Sequence, residues 1–343
     1  MTPALPRLLA VVVTYRSADI VGECLRALPA ALGPHIDYRT VVVDNASGDR
    51  SLEAAAEADP EAQLISLGRN AGYAAAINAA VEEAFDPEME AVLVLNPDIR
   101  LSPCAVGPLR EALDDPSVGI AVPRLFDAVG VPQHSLRREP TVLRAFGEAV
   151  LGGERAGRCA PFGEVVSEDG SYGAAYRPDW ATGAAMLIHR RCIERVGPWD
   201  ESYFLYSEET DYCLRARDVG LAVEYRPEAR ATHLGGESRT SPELWSVLTR
   251  NRVRLYRSRH GPVRSMAFRA AVLLNESIRA LGGRPTSRAA LRALFTPAEP
   301  TVGSGPAPIG PAGTPRVDSV TDPALRGGPR DVHLASTERH PRE

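Results

Sequence analysis

Three acidic residues lie within four consecutive positions of the chain, at Glu208, Glu209 and Asp211. Ser207 precedes them and Gly220 follows them. Because Ser is a favoured helix N-cap and Gly a common helix stop, this segment is expected to form a helix that begins at the acids. Carboxylates on a first helical turn complement the helix dipole, and a carboxylate can also serve as a general base. The cluster by itself leaves both roles open.

Other groups that could take part in chemistry lie far from this cluster in the sequence. They are Asp44, Asp98 in the segment Asn96-Pro97-Asp98, and His233. An enzyme that deprotonates a hydroxyl while it neutralises a leaving phosphate needs separate carboxylates for the two tasks. This chain has carboxylates for both, although a lone His is more often structural than a ligand.

The N-terminal part of the chain alternates between apolar runs and segments with helical spacing. Continuous apolar runs are typical of strands that are covered on both faces. This alternation predicts an α/β fold with a doubly wound, mostly parallel sheet. The predicted strands are 8–13, 40–43, 64–67 and 91–95, and the predicted helices are 19–32, 51–58, one that ends near 85 and one that begins near 102.

Four loops follow these strands and carry polar residues. In a doubly wound sheet, ligands bind beyond the carboxyl ends of the strands, so the four loops are expected to converge on one crevice. Each loop alone could be a simple turn or a helix start, but the four together favour a binding site. The loop residues are Thr14, Tyr15, Arg16, Asp44, Asn45, Arg69, Asn70, Asn96 and Asp98.

The middle of the chain is less regular. A strand, a turn at Gly130 and a return strand are predicted over 118–135, whereas no elements are assigned in the Gly-rich segment 137–179. The small residues Thr182 and Gly183 precede a strand, and they either admit a ligand close to the backbone or pack tightly. The remaining predictions are a helix over 190–196, a strand over 221–225 and a loop around His233.

The overall composition is that of a globular protein. The chain has 343 residues, 44% of them hydrophobic and 24% charged, with a net charge of -5. This charge argues against a nucleic-acid partner, because nucleic-acid-binding domains are basic. Five Cys without a CxxC pair favour a reduced, cytoplasmic location. No run reaches the roughly 20 apolar residues of a membrane span, so the chain is expected to be soluble or peripheral.

The segment from 244 to 275 contains no acidic residue but seven Arg. Such a stretch suits phosphate or an anionic membrane surface, and a solvated basic helix face is the alternative. Arg250 and Arg252 are nearest to His233 in the sequence and are expected to reach a phosphate, whereas the later Arg are expected to contact anionic lipid. From about residue 297 onward, Pro, Gly, Thr and Ser dominate, which predicts a disordered tail.

Seven short motifs occur in an order that resembles the family 2 glycosyltransferases, and most closely their rhamnosyltransferase-type branch. The resemblance covers about residues 8 to 260. It implies a GT-A fold, a nucleotide-diphosphate sugar donor, a divalent metal and inversion at the anomeric carbon. The motifs are Val-Val-Val-Thr-Tyr at 11–15, Val-Val-Asp-Asn-Ala-Ser at 42–47, Asn-Ala-Gly-Tyr at 70–73, Leu-Asn-Pro-Asp at 95–98, Thr-Gly-Ala at 182–184, Glu-Glu-Thr-Asp at 208–211 and His233.

The resemblance also implies roles for individual residues. Asp44 would accept a hydrogen bond from the nucleobase, and Asp98 and His233 would bind Mn²⁺ or Mg²⁺, with the imidazole slightly favouring Mn²⁺. Asn96 replaces the first Asp of the Asp-x-Asp metal motif that many relatives have. The remaining donor contacts are expected from Thr14, Tyr15, Arg16, Asn45, Arg69, Asn70, Tyr73, Asn96, Thr182, Gly183, Arg250 and Arg252, and the acceptor contacts from Trp180 and Tyr206.

The acidic cluster resembles the Glu-Asp-x-Asp motif of the family, with Glu209 in place of an Asp. The longer side chain leaves the assignment of the catalytic base open. The candidates in order of preference are Glu209, Asp211 and Glu208. The expected organisation is a nucleotide-sugar-binding part over 1–115, an acceptor-binding and catalytic part over 116–260, a basic helical extension over 261–296 and a tail over 297–343.

The resemblance therefore implies an inverting, metal-dependent glycosyltransferase that moves L-rhamnose or a related sugar from a dTDP- or UDP-sugar to a glycan or lipid-linked glycan acceptor. Its expected location is the cytoplasm, with peripheral contact at the inner face of an anionic membrane. A non-catalytic nucleotide-sugar-binding or scaffold protein is the alternative. A nucleotidyltransferase would have a Gly-rich basic loop after the first strand, and a dehydrogenase would have a GxGxxG motif there; this chain has neither.

Overall fold

A computed structural model describes residues 5–235 and 241–296 of the chain. Strands and helices alternate through most of this part, and three helices complete it. The strands are β1 (Arg7–Thr14), β2 (Asp37–Asp44), β3 (Gln63–Ser66), β4 (Met89–Leu95), β5 (Ile99–Leu101), β6 (Val118–Phe126), β7 (Leu136–Arg137), β8 (Trp180–Ala181), β9 (Ala185–His189) and β10 (Ala222–His233). The helices are α1 (Val21–Leu32), α2 (Ser51–Ala58), α3 (Tyr73–Ala84), α4 (Val106–Ala112), α5 (Val142–Leu151), α6 (Gly153–Gly157), α7 (Arg190–Val196), α8 (Glu208–Asp218), α9 (Pro242–Arg259), α10 (Pro262–Leu281) and α11 (Pro285–Phe295).

One mixed sheet of eight strands runs through the molecule in the order β3-β2-β1-β4-β9-β6-β10-β5. The strands β3, β2, β1 and β4 are parallel neighbours, and β6 and β10 are parallel to each other. Strand β9 is antiparallel to both β4 and β6, so β6 and β10 run in the same direction as β1. This arrangement confirms the predicted α/β fold with a mostly parallel sheet.

The first strand shows why its sequence is apolar without interruption. Side chains of a strand alternate between the two faces of a sheet. Leu8 and Val12 belong to the apolar core that includes α1, whereas Leu9 and Val11 belong to the core that includes α3. Because helices cover both faces, a polar residue at any of these positions would be buried without a partner.

The C-terminal helices form a smaller apolar cluster. Helices α9, α10 and α11 pack on one another, and α5 packs on α10. Phe268 of α10 stacks on Tyr256 of α9 with ring centroids 4.0 Å apart. Ala145 of α5 and Leu294 of α11 belong to the same cluster. This cluster holds the helices after residue 242 against the middle of the chain.

Several features differ from the sequence prediction. His233 is the last residue of β10 and does not lie in a loop, because β10 continues past residue 225 and pairs with β5, a short strand that was not predicted. The segment 137–179 contains α5 and α6. Helix α5 buries its inner face against the distant α10, a contact that has no local signature. An isolated bridge between Phe126 and Pro132 takes the place of the return strand expected after Gly130.

No helix in the described ranges 5–235 and 241–296 has the length and apolar character needed to cross a bilayer. All five cysteines carry free thiols. The predicted disorder of the tail over 297–343 falls outside the described residues.

Candidate active site

Four of the predicted site residues end parallel strands at one edge of the sheet. Thr14, Asp44 and His233 are the last residues of β1, β2 and β10, and Asn96 directly follows β4. The antiparallel β9 begins at the same edge, where the Asn96 amide donates to the carbonyl of Ala184 at 2.9 Å. The carboxyl edge of the sheet thus collects residues that the sequence predicts to bind the donor, as the parallel topology requires.

Asp44 is a buried and fully oriented carboxylate. Thr14 Oγ1 donates to its Oδ1 at 2.9 Å, and the backbone amide of Ser47 donates to its Oδ2 at 2.8 Å. The amide of Arg16, whose φ is 55°, donates to Ser47 Oγ at 2.8 Å. Tyr15 lies half-buried beside them. Each carboxylate oxygen has two lone pairs, so Asp44 can accept a further hydrogen bond while its orientation stays fixed.

The amide side chains of the neighbouring loops hold backbone. Asn45 Oδ1 accepts from the amide of Ala71 at 3.1 Å, and Asn70 Oδ1 accepts from the amide of Gly72 at 3.2 Å. These contacts use the side-chain oxygens of Asn45 and Asn70 and not their side-chain nitrogens. Arg69 is exposed next to them. The loop after β3 is therefore fixed against the loop after β2.

Asp98 and His233 form a close pair across the β5–β10 contact. Ile99 pairs with His233 in the antiparallel register, which brings Asp98 Oδ2 to 3.4 Å from His233 Nε2. Asp98 Oδ1 is buried and has no hydrogen-bond partner among the described residues. A buried carboxylate oxygen without a partner is costly, and a cation bound there would satisfy it.

Two residues outside the motifs shape this pair. Gln133 Oε1 lies 3.2 Å from His233 Nδ1, and Gln133 Nε2 donates to the carbonyl of His233 at 3.0 Å. A proton on Nδ1 that is shared with Gln133 leaves Nε2 free to act as a ligand. A Cβ at Gly235 would lie 2.7 Å from Asp98 Oδ2 and 2.8 Å from His233 Nε2, so a side chain at this position would displace the pair. The pair fits a divalent cation that takes its other ligands from substrate and water, since the described residues contain no cluster of three or more acidic, His or Cys ligands.

The loop before α8 has an unusual backbone. Phe204, Tyr206 and Ser207 have φ values of 62°, 66° and 78°, a conformation that costs free energy for non-glycine residues. Ser207 therefore precedes the helix as predicted but makes no side-chain cap hydrogen bond. Gly72 lies against the loop, because a Cβ there would approach the carbonyl oxygen of Phe204 to 2.3 Å.

One side chain from α9 holds this loop. Asn251 Nδ2 lies within hydrogen-bond distance of the carbonyl oxygens of Tyr203, Leu205 and Tyr206, at 2.7, 2.9 and 3.1 Å. Asn251 is buried. Sequence reasoning missed it, although a buried amide in an Arg-rich helix is a recognisable signal once the helix is known.

The three acids of the cluster lie in three different environments. Asp211 is buried, and its Oδ2 accepts from Arg215 Nε at 2.7 Å. Glu208 is 3% exposed and its Oε2 has no hydrogen-bond partner in the described part of the chain; burial and the neighbouring Glu209 raise its pKa well above the ordinary value. Glu209 is half-buried, and burial raises its pKa too, while the cation of Arg137 opposes this shift. Glu209 thus combines solvent access with increased basicity.

Tyr73 links the acids to the Asp98–His233 pair. Its hydroxyl donates to the carbonyl of Gly183 at 2.9 Å, and a Cβ at Gly183 would lie 3.1 Å from Glu209 Cβ. Burial raises the pKa of Tyr73 well above its ordinary value, and the negative charges of Glu208, Glu209 and Asp98 raise it further. The carbonyl of Ala184, the residue after Gly183, accepts from the Asn96 amide at 2.9 Å, which joins this contact to the loop that carries Asp98.

Two further predicted residues make other contacts, and three are half-buried. Arg252 Nη2 forms ion pairs with Glu148 and Glu164 at 2.8 and 2.6 Å, which argues against a phosphate contact. Trp180 is 8% exposed and its indole donates to the carbonyl of Arg138 at 3.1 Å, so it packs in the core and offers little surface to an acceptor. The others are half-buried: Thr182, whose amide donates to the carbonyl of Ser135 at 3.1 Å, Tyr206 and Arg250.

Known proteins share both sequence and fold with this chain. Residues 9–163 match the family model for glycosyl transferase family 2. The N-acetylglucosaminyl-diphospho-decaprenol L-rhamnosyltransferase of Mycobacterium tuberculosis is 28% identical over 252 residues, which cover 68% of this chain and 76% of the relative. The dTDP-rhamnosyl transferase RfbF of Shigella flexneri is 24% identical over 272 residues, which cover 74% and 81%.

Two solved structures share the fold. The mannosyltransferase PcManGT from Pyrobaculum calidifontis, solved with GDP-Man and Mn²⁺, superposes with a TM-score of 0.51 at 20% identity, over 84% of this chain and 75% of that one. GalNAc-T7, solved with UDP, GalNAc and Mn²⁺, gives a TM-score of 0.51 at 14% identity, over 78% and 54%. The chain therefore carries a glycosyl transferase family 2 domain over residues 9–163, is similar in sequence to rhamnosyltransferases, and has a GT-A fold.

Proposed function

We propose that the protein is an inverting, metal-dependent glycosyltransferase that moves L-rhamnose or a related sugar from a dTDP- or UDP-sugar to a glycan or lipid-linked acceptor. One observation carries the proposal. Glu209 lies against Gly183, and the carbonyl of the next residue, Ala184, accepts from the amide of Asn96 at 2.9 Å, two residues before Asp98. A general base and a cation site would thus face one substrate crevice.

The donor would bind along the carboxyl edge of the sheet. Asp44, oriented by Thr14 and by the amide and hydroxyl of Ser47, has one lone pair on Oδ2 left for the ring N–H of a uracil or thymine base. Tyr15 would flank the base, and Arg69 would approach the sugar or its phosphates. The Shigella flexneri relative is named a dTDP-rhamnosyl transferase, which supports a dTDP-sugar over other donors.

The diphosphate would lie against Asp98 and His233. The free Oδ1 of Asp98 and Nε2 of His233 are the atoms that would hold a divalent cation. A bound Mn²⁺ or Mg²⁺ would neutralise the negative charge that develops on the departing diphosphate. PcManGT and GalNAc-T7 were solved with Mn²⁺, and an imidazole ligand also favours Mn²⁺.

Glu209 would act as the general base. It removes the proton of the acceptor hydroxyl while that oxygen bonds to the anomeric carbon, and the bond from this carbon to the diphosphate oxygen breaks on the opposite side, which inverts the configuration. The raised pKa makes Glu209 a better proton acceptor than an exposed glutamate. Asp211 is paired with Arg215 and Glu208 is more deeply buried, so Glu209 remains the first choice.

A lipid-linked acceptor would bring the protein to a membrane. The Mycobacterium tuberculosis relative is named for a diphospho-decaprenol acceptor, which supports an acceptor of this class here. We propose peripheral contact with an anionic membrane from the cytoplasmic side, through the Arg-rich C-terminal helices.

A transfer assay tests the proposed function. The protein is incubated with dTDP-rhamnose, Mn²⁺ and an N-acetylglucosaminyl-diphospho-polyprenol acceptor, with UDP-sugars and Mg²⁺ in parallel. We expect release of dTDP and a glycosylated lipid in which the anomeric configuration is opposite to that of the donor, measured by mass spectrometry and NMR. If no donor releases its nucleotide and calorimetry detects no donor binding, the proposal is wrong.

A further inference from the structure

Helix α10 carries an apolar stripe on its outer surface. The five side chains of this stripe have exposed fractions between 39% and 89%. They recur every three or four residues, or at a multiple of that spacing, which places them on one helix face. At 1.5 Å per residue, the stripe runs along roughly 27 Å of helix. Its members are Val263, Met266, Leu274, Ile278 and Leu281.

The inner face of α10 is already satisfied. Phe268, Ala271 and Val272 are buried in the cluster with α5, α9 and α11, so the helix is fixed without help from the outer stripe. Exposed apolar patches of this length are uncommon on monomeric proteins and mark interaction sites. The stripe therefore points to a partner.

Helix α5, which packs on α10, has an exposed apolar stripe of its own. Leu143, Phe146, Val150 and Leu151 follow helical spacing and are each exposed by 38% or more. Two adjacent helices thus both present apolar side chains to solvent. The apolar surface extends beyond one helix, which suits a broad partner better than a single side-chain pocket.

The charges around the stripe are positive. Residues 244 to 296 contain eleven Arg and a single acid, Glu276. Glu276 is 3% exposed and accepts from Trp245 Nε1 at 3.0 Å, so it contributes no exposed negative charge. Arg264, Arg269 and Arg288 are among the exposed cations. Apolar residues flanked by Arg on a surface helix are the pattern of helices that lie in the interface of an anionic bilayer.

We propose that α10, with α5 beside it, docks the protein on an anionic membrane by inserting its outer apolar stripe into the bilayer interface. The occupant is a lipid surface, because a second copy docked stripe to stripe would oppose two sets of Arg without intervening acids. Docking would bring the site close to a lipid-linked acceptor in the membrane. This purpose rests on the proposed function. The docking itself does not require sugar transfer.

Vesicle binding of the full chain tests the docking. We compare vesicles of phosphatidylcholine with vesicles of phosphatidylcholine and phosphatidylglycerol in equal parts, without donor or acceptor. Wild type should bind the anionic vesicles, and Met266→Glu with Ile278→Glu should weaken this binding by about tenfold or more, because two charges would enter the apolar layer. The matched control is Val129→Glu with Val131→Glu, which makes the same changes at exposed apolar residues outside α5 and α10 and should bind like wild type.

Other outcomes would overturn the proposal. One such outcome is wild type that binds both vesicle types equally poorly. Another is a stripe variant that binds as well as wild type. So would light scattering that shows an oligomer in wild type and a monomer in the stripe variant, since the occupant would then be a second copy. Vesicle binding that appears only after residues 297–343 are deleted would assign the stripe to that segment of the chain.

A separate readout distinguishes this failure from failure of the proposed function. Transfer to a short-chain acceptor dissolved in detergent does not require docking, so the stripe variant should keep wild-type activity there. Loss of this activity together with an altered circular dichroism spectrum would indicate misfolding. The single change Met266→Ser, which adds no charge and should weaken vesicle binding less than the double variant, then provides the test.

Discussion

The two sides of the crevice are built by different means. On the proposed donor side, Thr14 and Asp44 end adjacent parallel strands and are directly paired in the sheet, and a hydrogen bond joins their side chains. On the acidic side, Glu209 follows a loop whose left-handed backbone is held by Asn251, 48 residues from Tyr203 in sequence. The donor side therefore depends on the sheet, whereas the acidic side depends on distant tertiary contacts. Substitutions on the two sides should therefore change different kinetic properties of the enzyme.

The sharpest test of the acidic side is Glu209→Gln. The amide keeps the shape but cannot accept the proton, so kcat should fall by about a thousandfold, while the dissociation constant of the dTDP-sugar changes little. Wild type should also gain activity as the pH rises through a pKa above the ordinary glutamate value, because burial raises the pKa of Glu209. Steady-state kinetics as a function of pH and calorimetric donor binding measure both effects.

Two matched variants test whether Glu209 is the base. Asp211→Asn should reduce activity less, since Asp211 pairs with Arg215, and Glu53→Gln on the exposed side of α2 should leave activity unchanged. A greater loss of kcat in Asp211→Asn than in Glu209→Gln would reassign the base.

On the donor side, Asp98→Asn should reduce kcat/KM by about a hundredfold, a smaller loss than that of the base variant. The amide keeps one oxygen but removes the negative charge opposite His233. The concentration of Mn²⁺ required for half-maximal activity should rise, and calorimetry should show weaker Mn²⁺ binding in the presence of dTDP. An unchanged Mn²⁺ requirement would remove Asp98 from the cation site.

The contact from α9 gives a third and smaller effect. Asn251→Ala removes the donor that reaches three carbonyls of the loop before α8, so the loop should relax and move Glu209. We expect kcat to fall by about tenfold with donor affinity retained. The comparison variant is Asn275→Ala on α10. An equal fall in kcat for both variants, or a loss of donor affinity with kcat kept, would show that Asn251 only supports the general fold.

The same contrast explains what could be predicted from the sequence. The strands and loops of the donor side have local signatures, since Val41 to Val43 form an apolar run that ends at Asp44, and the helix over 51–58 was placed correctly. The pairing of β5 with β10, the contacts of Gln133 with His233 and the role of Asn251 join residues far apart in sequence. Periodicity carries no information about such contacts. The sequence of α10 also does not show which of its apolar residues are exposed. Its apolar outer face can be identified only when the structure shows which face is buried.

The smallest expected effect concerns stability and tests the burial of Glu208. Burial and Glu209 raise the pKa of Glu208 in the folded state, so between the ordinary and the raised value the folded protein binds more protons than the unfolded chain. The free energy of unfolding therefore falls as the pH rises through this window, and the full penalty applies above it. Well below the ordinary glutamate pKa of 4.5, the side chain is neutral in both states and the penalty is absent. Glu208→Gln removes the charge, so its Tm should exceed that of wild type by about 2 °C or more at pH 8, and this gain should shrink towards pH 4.5.

Thermal unfolding followed by circular dichroism, with Glu53→Gln as the exposed comparison, measures this difference. A gain that stays constant across this pH range would mean that Glu208 is not buried as a charge, and the acidic side would then be more open than its contacts indicate.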